Sequence, residues 1–104
     1  MGTVSWRKFS RNDELIGKGI VEYGDMLPML LNQERAAAKL MDETDCRHVL
    51  YGMKLYDREG KVAAVHLYLW PMSEDEFDKV AMKCRGCLVY ALHNNRRRKD
   101  VRTV

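Results

Sequence analysis

Arg96, Arg97, Arg98, Lys99 and Arg102 crowd five cations into seven positions, with Asp100 the one acid among them. So dense a run neutralises phosphates and releases their counterions, which makes binding through it sensitive to salt. It serves equally as compensation for a helix dipole followed by a solvated tail. The whole chain holds 18 Lys and Arg against 15 Asp and Glu, a net +3. The excess therefore sits at this end, and the remainder is close to neutral. That distribution disfavours a protein that coats nucleic acid with its whole surface and leaves a local anion-contacting segment.

A second group comprises Lys54, Tyr56, Tyr68 and Trp70, with His48 and His66 nearby. Aromatic rings beside basic groups on one sheet face are what stacking of unpaired bases uses. The same patch reads equally as an apolar face covered by the N-terminal segment or by a second copy.

The third group is Cys84-Arg85-Gly86-Cys87, which has zinc-ligand spacing, with Cys46 and His48 as further candidate ligands. One such pair is weak grounds for a metal, and Cys84 falls on an apolar helical stripe, where free cysteine acts as a small buried hydrophobe. No metal and no cofactor are expected. A redox motif would need a preceding strand and the cysteines at a helix start, and neither is legible. Acidic runs such as Asp42 to Asp45 and Glu74 to Asp78 read as helix ends, and no nucleophile stands beside a base at a recognisable spacing. Leu15-Ile16-Gly17-Lys18-Gly19-Ile20 lacks the spacing of a phosphate loop and reads as a connection. Catalysis is not expected.

Two apolar runs flank Asp57-Arg58-Glu59-Gly60, which suits a type I turn closed by a left-handed glycine. The resulting hairpin, about 47 to 70, pairs Met53 with Val65 and Leu55 with Ala63. It separates an aliphatic face from one bearing Tyr56, Lys54, Tyr68 and Trp70. Before it, Asp25 and Pro28 open a helix from about Met26 to Met41, with Leu27, Leu30, Leu31, Ala37, Ala38 and Met41 on one stripe. After it, Ser73 and Glu76 form a capping box for a helix from about Glu74 to Asn94. Residues 1 to 24 read as a strand, a helix or both.

These elements describe one α+β domain of 104 residues: two layers, with both helices on one face of the hairpin and a basic tail from 95 to 104. The expected function is a small non-enzymatic regulator that contacts nucleic acid, with Arg96, Arg97, Arg98, Lys99 and Arg102 on phosphates. Trp70, Tyr68 and Tyr56 are expected to meet its bases, with Lys54 also in the site. The alternatives are a protein-binding adaptor or inhibitor that uses the aromatic hairpin face, and a small zinc-dependent module. A lone hairpin leaves its edges unpaired, so a homodimer through it is expected. Three cysteines set up no disulfide framework. No apolar stretch follows the early cations, and the longest apolar run, Val62 to Met72, is too short for the roughly 20 residues of a membrane helix. Together these features point to the cytoplasm, with no membrane partner.

Overall fold

The computed structural model describes residues 2–83, 86–94 and 98–103, the last stretch as backbone. Eight elements follow in order: β1 (Thr3–Phe9), β2 (Leu15–Glu22), α1 (Tyr23–Thr44), β3 (His48–Tyr56), β4 (Val62–Met72), α2 (Glu74–Lys83), β5 (Cys87–His93) and β6 (Arg98–Thr103). The strands form one six-stranded sheet in the order β2-β1-β4-β3-β5-β6. The β1–β4 pair is parallel and the other pairs are antiparallel. The fold is α+β.

The two helices lie on opposite faces of the sheet, not on one. Met26 and Leu30 of α1 pack on Val4, Val65 and Leu67, and Ala37 and Met41 pack on Val49, Tyr51 and Leu92. Phe77 of α2 packs on Leu50, Tyr68, Met72, Val89 and Ala91, the alternate residues of the same strands. With both faces covered, the central strands need apolar residues on both sides.

The hairpin tip forms as its residues dictate. Asp57 N–H donates to Lys61 O at 2.8 Å, Asp57 Oδ1 accepts from the N–H groups of Glu59 and Lys61, and Gly60 takes φ +82°. The register beyond the tip differs from the expected one: Met53 pairs with His66 and Leu55 with Ala64. Irregularities between Leu55 and Tyr56 and between Leu50 and Gly52 shift the pairing, and each shift exchanges faces. Tyr51 and Gly52 consequently both face α1. A Cβ on Gly52 would lie 2.7 Å from Leu30 Cδ2, so glycine there leaves room for the Leu30 side chain in its present position.

The capping box forms reciprocally: Glu76 N–H donates to Ser73 Oγ at 3.2 Å, and Ser73 N–H donates to Glu76 Oε1 at 3.0 Å. The helix it opens is shorter than expected. Gly86 takes φ +72°, and Cys87–His93 then runs as a strand between β3 and β6. Residues 98 to 103, expected in a tail, form the sixth strand. Helix α1 starts earlier than expected, at Tyr23, whose N–H donates to Gly2 O where the β1–β2 pairing ends. Asp25 is thus inside the first turn and not the cap. The buried stripe is Met26, Leu30, Gln33, Ala37 and Met41, with Leu27 and Leu31 outside it.

At the N-terminus the sheet gains two strands. Gly17 and Gly19, which weaken a helix, sit in β2 beneath the Trp6 ring. A Cβ on Gly19 would lie 2.8 Å from Trp6 Nε1. Since β1 and β5 flank the hairpin, neither of its edges is free to pair with a second copy.

Candidate nucleic-acid interface

Trp70, near the end of β4, is half-buried, and its indole N–H donates to Ser10 O at 2.8 Å. Ser10 organises the β1–β2 turn. Its Oγ accepts from the N–H groups of Asn12 and Glu14, its carbonyl accepts from Asp13 N–H, and Asp13 adopts φ +63°. The indole thus pins the turn that presents Arg11. Beside it, a groove of about 330 Å³ is bounded by Arg11, Trp70, Glu76, Lys79, Val80 and Lys83. It adjoins a second hollow of about 450 Å³ that shares Arg11 and Glu76 and adds Arg47 and Cys46. Four cations from three separate segments therefore surround one carboxylate. Ser73, through its N–H and hydroxyl, holds the Glu76 carboxyl below its ordinary range, so Glu76 stays ionised and committed to its cap.

The expected site residues divide. Trp70 lines the groove. Tyr68 shares its face but is buried, with its ring 5.6 Å from Phe9 and 4.5 Å from Trp70, so it offers no open face to a base. Tyr56 and Lys54 are displaced to the α1 face by the shifted register, and Lys54 Nζ lies 5.5 Å from the Tyr90 ring centroid. Arg98, Lys99 and Arg102 lie on β6, with Arg98 opposite His93 and Lys99 opposite Leu92. That places the first two at the sheet end where β3 begins beside Arg47. Arg96 and Arg97 lie outside the described residues. Arg11, Arg47, Lys79 and Lys83 were not expected in the site. Only the spacing of Lys79 and Lys83, one helical turn apart, carried a signal.

Of the candidate zinc ligands, His48 and Cys87 do not converge. His48 pairs with His93 at one end of β3, and Cys87 pairs with Leu55 at the other, on the order of 20 Å away at strand rise. Cys87 is buried and disulfide-bonded, although three cysteines set up no disulfide framework. Cys46 is a free cysteine. Cys84 lies outside the described residues. Among the described residues no group of three metal-ligating side chains occurs, and no helix is long and apolar enough to cross a membrane. His48 is buried with its ring stacked on Phe77 at 4.5 Å, a core position.

His66 closes the aromatic cluster, with Nδ1 3.0 Å from Tyr68 Oη and its ring 4.9 Å from Phe9. Burial, and then Arg7, lower its pKa from the ordinary 6.5, while Asp13 acts weakly the other way. The unfolded chain therefore takes up the proton first as pH falls, and stability drops below about pH 6.5 until the folded-state pKa is passed. Urea midpoints measured from pH 7.5 to 5 should show this fall, and His66→Asn should reduce it. An equal fall in the variant would assign the effect to another group.

No protein-family model matches the chain, and no curated protein or solved structure is similar enough to count as a match.

Proposed function

We propose that this protein is a small regulator that acts by binding nucleic acid in the groove between α2 and the β1–β2 turn. The observation that carries this reading is the gathering of Arg11, Lys79 and Lys83 around the half-buried Trp70, with Arg47 in the adjoining hollow. The cations take phosphates, and the exposed part of the indole takes a base or sugar. A single strand suits this arrangement, since one ring meets one unstacked base. By register, Arg98 lies at the same end of the sheet, level with His93. A protein interface on the aromatic hairpin face is the weaker reading, because the Tyr68 ring is spent on packing within the chain.

Fluorescence anisotropy of a labelled single-stranded oligonucleotide tests this. Each lost phosphate contact should reduce the slope of log affinity against log salt by about 0.7. Lys79→Ala with Lys83→Ala should therefore remove about 1.4 from the slope, and adding Arg11→Ala about 0.7 more. In a Trp6→Phe background, binding should quench the remaining Trp70 emission. An unchanged slope in the triple variant would reject the groove.

A further inference from the structure

The two edges of the sheet are built differently. Four of the six residues of β6 are charged (Arg98, Lys99, Asp100 and Arg102), which blunts an edge against pairing. Strand β2 instead exposes Ile20, at 73%, between Lys18 and Glu22 on the same face. Its backbone alternation is set by Tyr23 N–H, which donates to Gly2 O at 3.2 Å. Continued along the observed register, Val4–Val21 and Trp6–Gly19 exchange hydrogen bonds, whereas Thr3–Glu22, Ser5–Ile20 and Arg7–Lys18 do not. The N–H and C=O groups of Lys18, Ile20 and Glu22 therefore point away from β1, to the open edge. On the other side of this stretch, the register shift at Ile16 ends the regular edge.

We infer that β2 pairs antiparallel with β2 of a second copy, about a twofold axis through Ile20. The charges select this register. A pairing centred on Lys18 sets Lys18 against Lys18, and one centred on Gly19 sets Lys18 against Ile20. Registers centred beyond Ile20 soon run past the strand end at Glu22. Centred on Ile20, the pairing sets Ile20 against Ile20 and Lys18 against Glu22 twice, with every outward backbone group of the three residues paired. Opposite charges face each other only here. Gly24, next along and opposite Ile16 of the copy, has open space around its Cβ position, so the start of α1 leaves room. The axis stands perpendicular to the sheet, so the α2 faces of both copies point the same way. This is a different surface from the groove and does not rest on it.

Sedimentation equilibrium of the full chain at about 100 µM, a range suited to a small interface, should give twice the 12.2 kDa chain mass. Lys18→Glu sets like charges opposite each other twice and should give the monomer mass, and Lys18→Gln should fall between. Lys18→Glu combined with Glu22→Lys restores both attractions and should restore the dimer. All these side chains are exposed, and an unchanged near-UV circular dichroism spectrum checks that each variant is folded. A monomeric wild type, a dimer unaffected by Lys18→Glu, or a folded charge-swap variant that stays monomeric would each overturn the inference.

Discussion

Replacing Phe77 with alanine is expected to destabilise the protein by about 3–5 kcal/mol, a large share of the ~5–15 kcal/mol that holds a domain of this size. Phe77 is fully buried, with its ring stacked on His48 and packed among Leu50, Met72, Val89 and Ala91. Helix α2 has only ten residues, of which Phe77 and Ala81 are buried, so this ring is its main anchor to the sheet. Truncation leaves a cavity that the flanking strands, each hydrogen-bonded on both sides, cannot close. Phe77→Leu keeps most of the volume and should cost about 1–1.5 kcal/mol. Urea unfolding measures both. Because α2 also carries Lys79 and Lys83, the alanine variant should lose oligonucleotide affinity although it removes no cation. Equal stability of Phe77→Ala and wild type would mean that α2 is held by something other than this ring.

Gln33 provides the second large effect. It is buried on the face of α1 toward the sheet, and its Nε2 donates to Tyr68 O at 2.8 Å. Two residues of β4, Tyr68 and Leu69, stand opposite the single Tyr51 of β3 at this point. The Gln33 amide donates to a carbonyl inside this irregularity. Gln33→Leu matches the volume but leaves that carbonyl unpaired in the interior, at a cost of about 1–3 kcal/mol. Gln33→Glu should be worse at neutral pH, since a carboxylate has no hydrogen to donate. Its deficit relative to wild type should shrink as pH falls toward the ordinary glutamate pKa of about 4.3 and the buried carboxyl protonates. If Gln33→Leu matched wild type in urea unfolding, the carbonyl would have to be satisfied by another donor.

Local chemistry is legible in the chain alone. Asp57 reaches N–H groups two and four residues on, and Ser73 and Glu76 satisfy each other across one turn. Neither needs the rest of the chain, so the tip and the start of α2 were readable from spacing. The half-buried placement of Trp70 is legible for a similar reason, since it is a large amphipathic ring on a strand. The register of β3 on β4 was not readable. It depends on Gln33 and Leu30 of α1 meeting Tyr68 and Gly52, contacts between segments far apart in the chain.

Cys87–His93 was misread for a related reason. A short apolar run satisfies helical and strand patterns alike, and burial on both faces between β3 and β6 is what makes it a strand. Gly17 and Gly19 speak against a helix, but only the Trp6 ring lying across them explains their place in β2. The groove is the extreme case. Arg11, Arg47 and Lys79 are separated by more than thirty positions in each step, and no local preference links them. The indole hydrogen bond that pins the β1–β2 turn and the sheet that carries β3 and α2 bring their charges together, because distance in space is set by long-range packing that no window of sequence contains.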